Sequence, residues 1–133
     1  MEQAEPLDLG AFMGVAEAAS PERLTLYIPS ADSDGKSFDP QPWIDDAMRL
    51  LSAIGGGATR MPPVEGVWYN PQSGEFITEQ IVLVYSYIDP DKFEQNLLKL
   101  RQFLHAMRKH TNQGEVVFEL SDVLYKIRNY PHA

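Results

Sequence analysis

Glu75-Phe76-Ile77-Thr78-Glu79-Gln80-Ile81-Val82-Leu83-Val84-Tyr85-Ser86-Tyr87-Ile88 is the stretch that decides the fold. Side chains of an extended chain alternate between two faces. Ile77, Ile81, Leu83, Tyr85 and Tyr87 fall on one face, and Phe76, Val82, Val84 and Ile88 on the other. A strand apolar on both sides is covered on both sides, so this segment belongs at the centre of a sheet. Glu79 is the polar outlier in its row, between Ile77 and Ile81.

The neighbours of this strand follow from turn and cap chemistry. Upstream, Asn70-Pro71-Gln72-Ser73-Gly74 reads as a hairpin turn. It joins the strand to a partner over about residues 58–69, interrupted at Met61-Pro62-Pro63 because proline donates no ladder hydrogen bond. Downstream, Asp89-Pro90 reads as a cap followed by proline at the start of a helix. That helix places Phe93, Leu97, Leu100, Leu104 and Met107 on one face. Asp39-Pro40 repeats the same start, and Trp43, Ile44, Ala47, Met48, Leu51 and Ile54 form the second apolar stripe before Gly55-Gly56-Gly57. Leu24, Leu26 and Ile28 alternate as a first strand, and Val116, Phe118 and Leu120 as a last one.

The order is β-α-β-β-α-β. It predicts an α+β domain of the ferredoxin-like type over residues 23–127, a four-stranded antiparallel sheet with two helices on one face. Residues 1–22 are expected to be an N-terminal arm, loose or carrying a short helix, and residues 128–133 a frayed tail. Two helices on one face leave the second face of the long strand to be covered by something else. A second copy of the chain is the expected cover, with the N-terminal arm or a ligand as the alternatives, since an exposed apolar sheet of that size is a liability.

Composition narrows the function. The 133 residues carry a formal net charge of −8, which disfavours nucleic acid and anionic membranes. Cysteine is absent, which removes disulfides, thiol nucleophiles and cysteine-ligated metals. The acidic start Met1-Glu2-Gln3-Ala4-Glu5 lacks the form of a secretory signal, and no apolar run approaches 18 residues, so the expected location is the cytoplasm. His105 and His110 are five apart on one helix, a poor spacing for a shared metal, and no metal or cofactor is expected. The glycines at 55–57 end a helix instead of opening one, which argues against a phosphate loop.

Gly66-Val67-Trp68, then Gly74 with Glu79 five positions on, then a helix and Gln113-Gly114-Glu115 ahead of the last strand make up one pattern. It resembles a family of small bacterial α+β proteins of unknown function. The resemblance implies a compact fold and carries no activity.

Two functional expectations follow. The leading one is a non-catalytic, homodimeric protein-interaction or regulatory module with a further protein partner. The alternative is a small-molecule binder or enzyme of the dimeric α+β barrel type, with a pocket on the sheet face. In that pocket Glu79 is the candidate acid or base, because a carboxylate among apolar neighbours has a raised pKa unless something pairs with it. Arg60, Trp68, Tyr85, Gln113 and Glu115 are the candidate ligand-binding residues. Arg60 and Lys126 are the candidate ion-pair partners of Glu79 if the site is merely structural.

Overall fold

The computed structural model describes residues 5–15 and 20–128. Parts of the expected arm and tail, residues 1–4, 16–19 and 129–133, lie outside them. The elements in chain order are α1 (Leu9–Met13), β1 (Arg23–Ile28), α2 (Gln41–Gly55), β2 (Thr59–Arg60), β3 (Val64–Asn70), β4 (Glu75–Tyr87), α3 (Pro90–Gln95), α4 (Leu97–His110), β5 (Val116–Leu120) and β6 (Val123–Ile127). The α+β class and the antiparallel sheet are as expected.

The strand count is not. The sheet has six strands in the order β2-β4-β1-β5-β6, with β3 also paired to β4. Two local features turn four into six. Pro62-Pro63 splits the expected second strand into β2 and β3. Ser121 adopts a left-handed φ of 54° and reverses the chain after β5, adding the edge strand β6.

The split at the prolines also changes which face each residue occupies. Arg60 stands opposite Val84, whereas Val64 stands opposite Ile81. Four residues advance on one strand against three on the other, which is a one-residue bulge. Gly66 and Trp68 therefore share a face with Glu79, while Arg60 is turned to the helical side.

On that helical side lies the core. Leu24, Leu26 and Ile28 of β1, Val82 and Val84 of β4 and Ile88 just after it are buried against Ile44, Ala47, Leu51 and Ile54 of α2. Leu100, Leu104 and Met107 of α4 complete it. Gly55 lets α2 end directly on β4, because a Cβ there would sit 2.0 Å from Ser86 Oγ. The expected second helix is in fact two. Asn96 closes α3 by donating its side-chain amide to Lys92 O at 2.7 Å, and α4 restarts at Leu97.

The opposite face is much less covered. Trp68 and Tyr87 are exposed, and Ile77, Glu79, Ile81, Leu83 and Tyr85 are half-buried. Nor does α1 cover it: Leu9, Phe12 and Met13 are all more than 60% exposed. Among the described residues no helix is long and apolar enough to cross a membrane.

Candidate functional site

Glu79 sits in the middle of this open face, opposite Gly66. Because Gly66 has no side chain, Ile81 folds over it; a Cβ there would meet Ile81 Cδ1 at 2.5 Å. On the other edge of β4, β1 ends at Pro29 and the chain turns away through Ser30 and Ala31. Ser30 Oγ donates to Gln80 O at 2.6 Å and pins that turn to β4. The backbone N–H groups of Ala31 and Ser30 then face the Glu79 carboxylate. Burial pushes the Glu79 pKa above its ordinary value, and the two N–H groups pull it back in part. The carboxylate is thus partly dehydrated and held by peptide dipoles.

Further side chains come close. Glu79 lines a small cavity of about 70 Å³ with Tyr27, Ile81, Gln113, Glu115 and Val117. Gln113 reaches it from the turn after α4 and donates its amide to Ala31 O at 2.8 Å. Glu115 lies 3.4 Å from Arg128 Nε. The Tyr27 hydroxyl donates to Glu119 Oε1. Burial, and then that carboxylate, push the Tyr27 pKa up to about 12, so the phenol stays protonated at neutral pH. The cavity carries two carboxylates, Glu79 and Glu115, the second facing the Arg128 guanidinium, while Glu119 stands further along the sheet beyond Tyr27.

Three of the sequence candidates, Glu79, Gln113 and Glu115, meet here. The other three do not. Arg60, turned over by the bulge, donates to Gln41 Oε1 of α2 at 3.3 Å. Trp68 shares the face but stands opposite Ile77, two pairs beyond Glu79. Tyr85 lies under the Arg23 guanidinium, 5.3 Å from its ring centroid, and edge-on to Tyr87. Neither Arg60 nor Lys126 lines the cavity as a partner for Glu79; its charge is met by backbone donors. Tyr27 was missed, although its alternation with Leu26 and Ile28 already placed it on the open face. Among the described residues no group of three or more potential metal ligands comes together.

No family model and no curated protein matches the chain. Solved structures of phage SAM lyase match its fold. Phage SAM lyase in complex with S-methyl-5'-thioadenosine superposes with a TM-score of 0.62 at 16% identity, covering 86% of this chain and 96% of that one. The same enzyme in its apo state gives 0.61 at 16% identity, covering 89% and 96%. At this identity the likeness is one of fold. The architecture is that of the phage lyase, not a bare four-stranded ferredoxin-like sheet. It also overturns the leading expectation of a non-catalytic regulatory module, because the molecule that shares the fold is an enzyme.

Proposed function

We propose that the chain is an enzyme that cleaves S-adenosylmethionine or a closely related sulfonium nucleoside, releasing S-methyl-5'-thioadenosine. The observation that carries this reading is the Glu79 site itself, a half-buried carboxylate that shares a cavity with Glu115 on a fold shared with phage SAM lyase. S-Adenosylmethionine carries a sulfonium and an ammonium against one carboxylate, so its net charge is positive. The Glu79 carboxylate, without a cationic side chain lining its cavity, favours such a cation, and binding lowers the cost of keeping Glu79 ionised.

The chemistry follows from charge. Release of the thioether breaks the bond between sulfur and the γ-carbon, and the electron pair moves onto sulfur, which loses its positive charge. In a lyase no water enters, so the four-carbon fragment supplies the replacing pair from within. Either its carboxylate oxygen attacks the γ-carbon and closes a lactone, or a neighbouring C–H bond yields its pair and a base takes the proton. Glu79 serves both routes. It fixes the cation in the first and is the candidate base in the second.

The site also needs a cover. A cavity of about 70 Å³ is far below the roughly 300–1,000 Å³ that ligand pockets enclose. The surrounding face is apolar, with Trp68 and Tyr87 exposed. A second copy laid over this face would supply the missing wall and shut out water. Light scattering on the full chain is expected to show self-association, and a monomer at micromolar concentration removes this part of the reading.

The deciding assay incubates the purified chain with S-adenosylmethionine and follows S-methyl-5'-thioadenosine by mass spectrometry. Release that depends on Glu79 is expected. If the substrate survives intact, or if the Glu79→Gln variant turns over as fast as the parent, the reading is wrong.

A further inference from the structure

Two surfaces of this chain are apolar, uncovered and complementary. The first is α1, a finished turn of helix. At its start the Ala11 N–H donates to Asp8 Oδ1 at 3.1 Å, and Gly14, at φ 72°, closes its end. Leu9, Phe12 and Met13, spaced by three and four, share one face, and all three stay exposed. A helix of five residues is not stable alone in water and draws its stability from packing. Residues 1–20 also hold four acids, Glu2, Glu5, Asp8 and Glu17, and no lysine or arginine.

The second surface lies between α4 and β6. In a chain of net charge −8, α4 carries Lys99, Arg101, Arg108 and Lys109 and no acid. Phe103 and His110 turn one flank of α4 to Trp43 of α2. At about 100° per residue, Leu97, Arg101 and Arg108 occupy the other flank. Since α2 packs over β4 and β1, that flank looks along the sheet toward β5 and β6. There Tyr125 stacks on Phe118 at 5.1 Å and Val123 stands opposite Leu120, which puts both on the helical face. No helix covers them: Val123 and Tyr125 are 51% and 44% exposed, and Leu97 is exposed as well. The strip is apolar and its border basic. After burial, Arg101 and Arg108 push the His105 pKa below its ordinary value, as crowded cations do. The arm also leaves the domain beside this strip, because Arg23 O accepts the Ser121 N–H of the β5–β6 turn at 2.7 Å.

We infer that α1 of one copy docks on the α4–β6 strip of a second copy, with the acids of the arm facing the bases of α4. Leu9, Phe12 and Met13 pack against Val123 and Tyr125. The apolar contact supplies most of the affinity, and charge selects the partner. Because each arm leaves beside its own strip, two copies can exchange arms reciprocally about a twofold axis. The strip is on the opposite face of the sheet from Glu79, so this contact is separate from a copy laid over the open face.

The absence of cysteine makes the test clean. A Val15→Cys protein is mixed with a Val123→Cys protein and treated with a short bismaleimide; both positions are exposed, so the fold tolerates the changes. A cross-linked pair of unlike chains is expected, forming faster than when the second protein instead carries Tyr87→Cys on the open face. Phe12→Asp in the first protein is expected to slow the reaction about tenfold. Arg101→Glu in the second is expected to slow it about threefold, an effect that high salt removes. Absence of the pair, rates indifferent to both substitutions, or faster capture at position 87 overturns the proposal. So does preferential cross-linking within one chain that carries both cysteines, which would make the arm a strap on its own domain. None of these residues lines the Glu79 cavity, so the outcome is independent of whether S-adenosylmethionine is cleaved.

Discussion

Along β4, Val82 and Val84 stand on one face and are at most 5% exposed, as is Ile88 just past its end. Ile81, Leu83 and Tyr85 alternate with them on the other face and stay half-buried. The two rows are similar in hydrophobicity and share one backbone, so composition does not separate them. What separates them is company. The first row meets α2 and α4 and becomes core; the second meets only a loop, an edge hairpin and Glu79. The closed face makes the domain stable, and the open face leaves room for chemistry.

Truncation on each face tests this division. Leu26 is fully buried among α2, α4 and β4, and Leu26→Ala is expected to cost about 2–5 kcal/mol in denaturant unfolding. Leu83, opposite Tyr27 on the open face, is half-buried. Leu83→Ala is expected to cost about 1 kcal/mol in the isolated chain and to weaken self-association instead. Equal unfolding losses at dilute concentration would mean that both faces are core, and the contrast would collapse.

Glu79 gives the next largest effect, on activity and with the opposite sign on stability. Removing a charge that holds the cation or takes its proton is expected to lower turnover on the order of a hundredfold in Glu79→Gln. Stability should not fall with it. Burial raises the folded-state pKa of Glu79 above the ordinary carboxylate value of 4.5. The neutral form is therefore favoured on folding, and the contribution to stability is present below pH 4.5 and lost as pH rises through the folded value. At neutral pH the ionised carboxylate is a net cost that glutamine lacks, so the variant should unfold no more easily than the parent. Activity runs the other way and is lost as pH falls through that same raised value. A pH–rate profile of kcat/KM should show its acid limb above the usual carboxylate range, and Glu79→Gln should abolish the limb. An unshifted limb assigns it to another group.

How much of this was legible beforehand depends on the range over which each residue's environment is set. The β4 pattern, the proline-marked helix starts and the outlying Glu79 are local and periodic, and they could be read directly. Gln113 and Glu115 were found as a short motif, and the fold brings them to Glu79. Arg60 misled because counting by twos puts residues 60, 66 and 68 on one face, and only the register across Pro62-Pro63 reveals the extra residue. The break at Asn96 and the turn at Ser121 depend on single side chains or φ values without a glycine or proline to mark them. The donors facing Glu79 are backbone N–H groups of Ser30 and Ala31, which no side-chain motif encodes. For the site, then, the charged residue was visible and its setting was not.

Gly66 offers the smallest and sharpest probe of that setting. Its α-carbon faces Glu79 across the hairpin, and the space a side chain would take is filled by Ile81 Cδ1. An added methyl at 2.5 Å forces Ile81 to rotate, but Cδ1 is the flexible end of its chain. Gly66→Ala should therefore change stability by no more than about 1 kcal/mol, since the lost contact is offset by reduced freedom of the unfolded chain. Ile81 also lines the Glu79 cavity, so its rotation moves the wall against which a substrate rests. The expected signature is a higher KM with kcat nearly unchanged, in a protein that melts like the parent. A fall in kcat with KM unchanged would show that Ile81 acts on the reacting atoms and not on the fit. A loss of several kcal/mol in stability would show that the open face is packed as tightly as the core.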